Sequence, residues 1–393
     1  MKVLIALASS SGQISGVQRH AISLAKCLLM RDEIHEVHLV AAPWQQGFVR
    51  DAAPMKDLRL HLHAASIGNN ARSRNAWFYF ELPRLAKQLD ADVVHLAYPV
   101  PVARGRFRCP VVVTLHDLYP YDIPENFGFP KVIFNQAVLR QCLRSVDAVA
   151  CVSQTTQMRL KILAPKIALQ KSSVVYNVVD PPSTLIASVA DTPIAADSPF
   201  LFCVAQHRRN KNILLALRVF EWLLRDGEPG SLRMLIVGIA GPETGAIEEF
   251  IAEHHLSDYV TMANGLSEAK LAWCYRNCAL LFAPSRIEGF GLPIAEALLA
   301  GCRVVCSDIP AFREVGGDHC CYVPLVFEAE GAFVHEIRRM LEGDRSRPEP
   351  VELPQLSSTN IARQYLKLYR SLLPVSAADE DAHLLSLSTR EER

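Results

Sequence analysis

The sequence predicts an α/β protein in which short buried strands alternate with helices over two domains. Apolar runs at residues 3–8 and 111–115, and at 200–205 and 279–284 further along, have the length of buried strands. Segments with apolar residues at helical spacing lie between them, for example residues 17–30. A length of 393 residues suits two or three domains. Because 50% of the residues are hydrophobic, the chain can build sizeable cores.

Composition divides the chain into two domains, a linker and a tail. Residues 1–180 form the predicted first domain and residues 200–356 the second. The stretch 181–199 between them is rich in Pro, Ala, Ser and Thr, which is typical of an interdomain linker. A final amphipathic helix is predicted within 357–375, and the polar, acidic residues 376–393 predict a disordered tail.

Charge and cysteine usage argue against several classes of protein. The 41 basic and 41 acidic residues cancel, so nothing indicates a nucleic-acid partner. Eleven scattered cysteines predict free thiols in a reducing compartment, and no apolar run reaches the ~18 residues of a membrane-spanning helix. The protein is therefore predicted to be cytoplasmic. Cys274, Cys278, Cys302 and Cys306 have a loosely metal-like spacing, but they fall inside predicted helices and strands, so we interpret them as buried apolar residues and predict no metal site.

The most informative stretch is a glycine-rich loop that follows a predicted strand and precedes a predicted helix. The loop consists of Glu288, Gly289, Phe290, Gly291 and Leu292. Open α/β sheets bind ligands at this edge, and free N–H groups with the helix dipole favour an anion such as phosphate. Glu288 in the loop and Glu296 in the predicted first helical turn can both face one cleft, where carboxylates accept hydrogen bonds from sugar hydroxyls. This pattern describes a nucleotide-sugar site; the alternative is an ordinary strand–turn–helix with solvated glutamates.

Two strand ends in the first domain carry further candidates. A loop of small residues after the first strand ends at Gly16, where the backbone can approach a phosphate or a sugar closely. His116 follows the strand at 111–115, and a side chain at the end of such a strand points into the cleft. His116 can hydrogen-bond a sugar hydroxyl or act on the reacting centre; the alternative is a structural histidine.

A cationic loop follows the first strand of the second domain. It contains Arg208, Arg209 and Lys211. Such a loop suits a pyrophosphate, because an arginine can bind it through two hydrogen bonds and a lysine acts as a point charge. The alternative is a solvated basic turn.

Two segments combine basic with apolar or aromatic side chains, namely residues 72–80 and 158–171. They are consistent with weak, peripheral contact with the inner face of a membrane. The alternatives are a core helix with a solvated basic end and a solvated helix face.

The glycine-rich loop resembles the signature of a known enzyme family. The run Glu288-Gly289-Phe290-Gly291-Leu292-Pro293, with Glu296 eight positions after Glu288, resembles that of the family 4 retaining glycosyltransferases, the group 1 glycosyl transferases of bacterial surface polysaccharide synthesis. The resemblance implies two Rossmann-like domains with the cleft between them, an architecture called GT-B. It also implies that the helix within 357–375 crosses back to the first domain.

The resemblance assigns the cationic loop to the donor phosphates. Lys211 matches the lysine that binds the donor phosphate in this family. Ala205 and Gln206 stand where the family has a glycine that is often followed by an arginine. Arg208 or Arg209 would replace that arginine, and the sequence does not choose between them.

The predicted function is a retaining, metal-independent hexosyltransferase without a cofactor. It would move a hexose, mannose-like or related, from a nucleoside-diphosphate sugar to a saccharide or lipid-linked saccharide acceptor. Glu296 would hold the ribose and Glu288 the hexose. The acceptor would enter near Gly16, which stands near the family's cleft glycines, and near His116, which matches the family's active-site histidine.

Two other hypotheses remain open. One is a sugar-nucleotide epimerase or phosphorylase on the same fold, and the other is a non-catalytic scaffold of a polysaccharide assembly complex. The presence of both glutamates, His116 and Lys211 argues against the scaffold.

Overall fold

Two parallel β-sheets, each with helices on both faces, make up the protein. The computed structural model describes residues 1–10, 12, 15–181, 194, 198–225, 232–343 and 346–374. The first sheet has seven strands and the second has six. These sheets confirm the predicted fold class. Most of the predicted linker and the whole predicted tail lie outside the described residues.

The first sheet has the strand order β3-β2-β1-β4-β5-β6-β7, with every neighbouring pair parallel. Its strands are β1 (Lys2–Ala6), β2 (Glu36–Ala41), β3 (Leu60–Ala64), β4 (Val93–Leu96), β5 (Val111–Leu115), β6 (Ala148–Cys151) and β7 (Ser172–Val174). Its helices are α1 (Gly16–Leu29), α2 (Gln46–Ala52), α3 (Ala71–Gln88), α4 (Tyr119–Asp122), α5 (Lys131–Ser145), α6 (Gln154–Leu163) and α7 (Pro165–Lys171).

The second sheet has the order β10-β9-β8-β11-β12-β13 and is also parallel. Its strands are β8 (Phe200–Val204), β9 (Arg233–Val237), β10 (Val260–Ala263), β11 (Leu280–Ala283), β12 (Val304–Ser307) and β13 (Cys321–Val323). Its helices are α8 (Ile213–Arg225), α9 (Thr244–Glu253), α10 (Glu268–Asn277), α11 (Leu292–Leu299), α12 (Pro310–Gly316) and α13 (Ala329–Glu342), and α14 (Ser358–Arg370) ends the described chain.

Strand order places the ligand-binding edge of each sheet. The chain runs outward from β1 in one direction and then returns to continue from β4 in the other; β8 and β11 have the same relation in the second sheet. Ligands bind at the carboxyl ends of the strands where the order reverses. The loops after β1 and β4, and after β8 and β11, are therefore the ones positioned to form a site.

Alternating side chains fill a core on each face of both sheets. In β1, Leu4 packs into one apolar cluster while Val3 and Ile5 pack into the cluster on the opposite face. The helix α14 follows the second domain in sequence, yet its Tyr365 and Tyr369 are buried in the same cluster as Val3 and Ile5. The end of the chain thus packs against the first domain.

Two strands of the first sheet differ from what the sequence predicts. Strand β3, with the sequence Leu-His-Leu-His-Ala, was not predicted, because its histidines conceal the apolar alternation. The apolar run at residues 174–177 predicts the last strand of this sheet, whereas the structure has that strand at Ser172–Val174. None of the described helices combines the length and apolarity needed to cross a membrane.

Candidate active site

The loops after β8 and β11 bring Lys211 and Glu288 into direct contact. The Lys211 Nζ atom lies 2.6 Å from Glu288 Oε1, and the Glu288 side chain is 8% exposed. Tyr119, from the start of α4 in the first domain, donates its hydroxyl to Glu288 Oε2 at 3.1 Å. Asn210 Nδ2 donates to the same hydroxyl at 3.2 Å. A largely buried ion pair, contacted by a residue from the opposite domain, thus lies where the two domains meet.

The glycine-rich loop packs directly against the first domain. Ser153 Oγ and Thr156 Oγ1, at the start of α6, donate to the Gly289 carbonyl at 2.5 and 3.0 Å. A Cβ atom on Gly289 would lie 1.8 Å from the His116 carbonyl oxygen, so only glycine allows this approach. A second contact joins the domains nearby, where the Glu314 carboxylate accepts the N–H groups of the first two residues of α6 at 2.6 and 2.9 Å.

The same loop presents backbone N–H groups at the start of α11. Gly291 adopts φ +110°, a left-handed conformation that glycine tolerates, and α11 begins at the next residue. Among the described residues, no acceptor is found for the N–H groups of residues 289–292. The Phe290 side chain packs into an apolar cluster that includes Val152 of the first domain, so Phe290 contributes only its backbone to the anion-binding part of the loop. The loop therefore has the free donors that an anion needs.

Glu296 lies in the second turn of α11, not in the first as predicted. The helix begins at Leu292, which makes Glu296 its fifth residue. The Tyr275 hydroxyl donates to Glu296 Oε2 at 2.6 Å. Burial raises the pKa of Glu296, while this hydrogen bond and the charge of Arg19 on α1 oppose the rise.

Glu296 lines a cavity of roughly 250 Å³ between the two domains. The first domain contributes residues of α1 and the segment before the linker, and the second contributes α10 and α11. The lining includes Gly16, Arg19, His20, Lys26, Asn177, Asp180, Glu268, Leu271, Tyr275, Leu292 and Glu296. We call this the first cavity.

His116 is partly buried, and its ring is neutral at neutral pH. Its Nε2 atom lies 2.9 Å from the Ala97 carbonyl oxygen, which can only accept, so this nitrogen carries the proton and Nδ1 is free to accept. Burial lowers the pKa of His116 to about 4. Its ring packs edge-on against His20, with the ring centroids 4.9 Å apart. The neighbouring Asp117 has its pKa raised to about 6 by burial.

The two arginines of the cationic loop differ in their surroundings. Arg209 is exposed, and its Nε lies 3.4 Å from Glu243. The side chain of Arg208 has no hydrogen-bond or ion-pair partner within the described residues, and its positive charge partly opposes the rise in pKa of Asp117 and Tyr119. Both arginines line a second cavity, of roughly 380 Å³, which shares no lining residue with the first.

The sequence did not identify several side chains that complete the site. Tyr119 and Asn210 contact the ion pair, while Tyr275 and Arg19 lie beside Glu296. Tyr119 lies 169 residues from Glu288 in sequence, so no local spacing connects the two. The only available signal was their location, since Tyr119 and Asn210 follow strand ends. In the part of the chain that the structure describes, no group of three or more His, Cys, Asp or Glu side chains is placed to hold a metal ion.

Two Rossmann-like domains whose strand-end loops meet across a cleft define the GT-B class of enzyme. Two family models match the chain: residues 14–182 match Glycosyltransferase Family 4, and residues 187–352 match Glycosyl transferases group 1. The chain therefore belongs to the family 4, group 1 glycosyltransferases.

Curated relatives of the chain include several mannosyltransferases. The O-antigen chain mannosyltransferase B of Escherichia coli is 23% identical over 338 residues, which cover 81% of this chain and 85% of that protein. The O-antigen chain mannosyltransferase RfbU of Salmonella typhimurium is 25% identical over 58% of each chain. The serotype-specific mannosyltransferase WbdA of Escherichia coli is 30% identical over 56% of this chain, but only 28% of WbdA is covered. The match thus spans little more than half of one of these relatives and about a quarter of another.

Solved structures share the fold over nearly the whole chain. Anabaena HepE, in complex with UDP and glucose, superposes with a TM-score of 0.63 at 17% identity, covering 98% of this chain and 99% of that one. WaaG, a glycosyltransferase involved in lipopolysaccharide biosynthesis, gives a TM-score of 0.65 at 16% identity, covering 94% and 97%. At these identities the likeness establishes the fold.

Proposed function

We propose that the protein is a retaining hexosyltransferase that uses a nucleoside-diphosphate sugar and serves surface polysaccharide synthesis. The observation that supports this proposal most directly is the Lys211–Glu288 pair. It lies beside the free N–H groups of the loop, and Tyr119 of the opposite domain donates a hydrogen bond to Glu288. This arrangement offers a cation for phosphate and a carboxylate for sugar hydroxyls at one point. The mannosyltransferases among the relatives favour a mannose-like hexose.

The nucleoside of the donor would occupy the first cavity. Glu296 would accept hydrogen bonds from the ribose hydroxyls, held in place by Tyr275. The diphosphate would then lie over the start of α11, on the N–H groups of residues 289–292 and on Lys211. Lys211 has three N–H donors, so it can bind phosphate and retain Glu288. Of the two loop arginines, Arg208 is the better candidate for the diphosphate, because Arg209 is exposed and already paired with Glu243.

The hexose would lie between Glu288 and His116. Glu288 would accept hydrogen bonds from its hydroxyls, and the unprotonated Nδ1 of His116 offers one further acceptor from the first domain. Because Gly289 packs against the His116 backbone, the closed cleft would place the Glu288 carboxylate and the His116 Nδ1 atom at the same sugar.

The transfer would proceed on one face of the sugar. The bond from the anomeric carbon to the phosphate oxygen breaks as the acceptor oxygen bonds to that carbon, and the leaving phosphate takes the acceptor's proton. Lys211 and the loop N–H groups would stabilise the charge that grows on the leaving phosphate. Since these protein groups neutralise the diphosphate, we propose that no metal ion is needed.

The experiment is a donor screen followed by a transfer assay. Ligands that bind the native state raise its melting temperature by mass action, so a thermal-shift panel of nucleoside-diphosphate sugars identifies the donor. Release of nucleoside diphosphate should then depend on a saccharide acceptor, persist in excess EDTA, and yield a product with the donor's anomeric configuration by NMR. Epimerised donor or release independent of acceptor would contradict the proposal. Loss of activity in EDTA that Mg²⁺ restores would contradict its metal-independent part.

We also propose that α6 and α7 rest on an anionic membrane surface. Met158 and Ile162 are 66% and 72% exposed one helical turn apart on α6, and Leu169 on α7 is 86% exposed. Lys161 and Lys166 lie on the same two helices, and basic residues around an exposed apolar face favour anionic lipid. Wild-type protein should sediment with vesicles that contain phosphatidylglycerol, and Ile162→Glu should reduce this. Equal sedimentation of both proteins would contradict the assignment.

A further inference from the structure

A second cavity, of roughly 380 Å³, lies beside the cationic loop and is rich in arginine. Its charged lining consists of Arg208, Arg209, Arg218, Arg286, Glu125 and Glu243. The remaining lining residues are Asn212, Ile213, Leu214 and Ile247. Most of these residues belong to the second domain, and Glu125 reaches the cavity from the first. A cavity with twice as many arginines as glutamates favours an anionic ligand.

Residues close in sequence to the Lys211–Glu288 pair line both cavities. Along the glycine-rich loop, Arg286 lines the second cavity, Glu288 belongs to the pair and Leu292 lines the first cavity. Lys211 is likewise preceded and followed by residues of the second cavity, Arg209 and Asn212. If the donor nucleoside occupies the first cavity and its hexose lies at Glu288, the hexose is next to residues that line the second cavity.

Two of the four arginines have no carboxylate partner among the described residues. Arg209 pairs with Glu243, and Arg218 lies 3.0 Å from Glu330. Arg286 donates only to the neutral side chain of Asn212, at 3.2 Å. For the guanidinium group of Arg208, no hydrogen-bond or ion-pair partner is found among the described residues.

The start of α8 adds backbone donors to the same cavity. Ile213 and Leu214, the first two residues of this 13-residue helix, are lining residues. The first N–H groups of a helix have no intrahelical acceptor, and the helix dipole favours negative charge there. Unpaired guanidinium groups and free backbone N–H groups together suit a phosphate, whose oxygens accept hydrogen bonds in pairs from arginine.

We propose that the second cavity binds a phosphate group carried by the acceptor. The acceptor would be a saccharide that bears a phosphate or diphosphate. This anionic group would bind Arg286, Arg218 and the start of α8, and the reacting hydroxyl of the acceptor would lie next to the hexose of the donor. Either a lipid-linked diphosphate or a soluble sugar phosphate supplies this chemistry. The inference rests on the proposed function, because that function places the donor in the first cavity.

Calorimetric titration with inorganic pyrophosphate tests the site without an identified acceptor. Wild-type protein should show two sites, one at Lys211 and one at the arginine cavity. Arg286→Gln and the double variant Arg218→Gln/Arg286→Gln should weaken the second site by about tenfold or more, the scale of lost hydrogen bonds to a charged group. Arg286→Lys should restore part of the affinity, and Arg225→Gln, at the other end of α8, should match the wild type.

The binding outcomes separate the two proposals. Pyrophosphate binding that is unchanged in the double variant overturns the acceptor site, whatever happens at Lys211. Unchanged binding in Lys211→Ala counts instead against the donor site. Melting temperatures show whether each variant is folded, and the single Arg286→Gln variant keeps the test valid if the double variant is not.

Transfer kinetics then identify the source of the phosphate. The same saccharide would be offered free, as its 1-phosphate, and as a diphosphate linked to a short polyprenol. For the wild type we expect the phosphorylated acceptors to have a KM about tenfold or more below that of the free sugar. Arg286→Gln should remove this advantage without changing the donor KM. A lower KM for the polyprenol conjugate than for the 1-phosphate indicates a lipid source. Equal KM values for free and phosphorylated acceptors in the wild type, or a rise in donor KM alone in Arg286→Gln, would overturn the inference.

Discussion

Gly289→Ala tests whether catalysis requires the two domains to close on the glycine-rich loop. The new Cβ atom would lie 1.8 Å from the His116 carbonyl oxygen, whereas ordinary contacts begin near 3.4 Å. The obstacle is backbone, so no side chain can rotate away. The φ angle of Gly289 is not in the left-handed region, and alanine adds no backbone strain. The substitution thus acts through this contact alone.

The magnitude follows from what the loop loses when it moves away. Ser153 and Thr156 each donate a hydrogen bond to Gly289, worth about 1 kcal/mol apiece, and forcing a methyl group into a packed contact costs about 1–3 kcal/mol. Keeping the cleft closed should therefore cost about 3–5 kcal/mol more, which lowers kcat/KM by roughly two to four orders of magnitude. Each domain can relax by opening, so the melting temperature should change little.

The assay compares steady-state transfer with calorimetric binding of the nucleoside diphosphate. Gly289→Ala should lose transfer while the second domain still binds the diphosphate within a few-fold. Gly245→Ala on α9 is the matched control, because nothing lies within 4 Å of its added Cβ. Near-wild-type kinetics in Gly289→Ala would show that the active form does not use this contact. A large fall in melting temperature would show that the substitution disrupts the fold rather than the closure.

Three further predictions concern the charged groups. In calorimetric titrations, Glu296→Gln should weaken the binding of both the nucleoside diphosphate and the nucleotide-sugar by about 1–3 kcal/mol. Glu288→Gln should weaken only the binding of the sugar-bearing donor, or its transfer. Equal losses of binding for both ligands in Glu288→Gln would contradict the assignment of Glu288 to the hexose. Lys211→Ala should lower kcat/KM by roughly 2–4 kcal/mol, and unchanged kinetics would place the phosphate elsewhere. Burial lowers the pKa of His95 to about 3 and that of His116 to about 4, whereas the ordinary value is 6.5. Below pH 6.5 the unfolded state therefore binds more protons than the folded state. The free energy of unfolding, measured in urea, should then fall as the pH drops from about 6.5 towards 4, and above pH 6.5 these histidines should not affect it. His95→Gln should make the free energy of unfolding depend less on pH, and an unchanged slope would show that the dependence does not come from His95.

Local sequence rules predicted the elements better than the contacts between them. The strand–loop–helix around Glu288 follows from an apolar run, two glycines and a proline, all within 20 residues or so. Pro293 suits the first position of a helix and predicts that α11 begins there, but Gly291 ends the loop in a left-handed conformation and Leu292 is already helical. That single residue moved Glu296 into the second turn. Strand β3 was missed because His61 and His63 occupy alternate positions in a strand whose neighbours are apolar.

The contacts that assemble the site depend on the docking of two domains, which no local pattern records. Lys211 and Glu288 were each predicted as site residues, yet their ion pair joins positions 77 residues apart. The choice between Arg208 and Arg209 is of the same kind: the sequence does not choose between them, whereas in the structure Arg209 is paired with Glu243 and the Arg208 side chain has no such partner among the described residues. Only the relative position of the two sheets decides which strand-end loops face each other.

The Lys211–Glu288 pair places a cation beside a carboxylate that is only 8% exposed. A buried charge without a partner is costly, and carboxylate oxygens are the acceptors that sugar hydroxyls need. Lys211 compensates that charge and still has donors left for the diphosphate, while Tyr119 fixes the second carboxylate oxygen from the opposite domain. Removing Lys211 therefore leaves Glu288 unpaired as well as removing a phosphate contact. The two residues act as one unit, and their individual contributions to transfer are not additive.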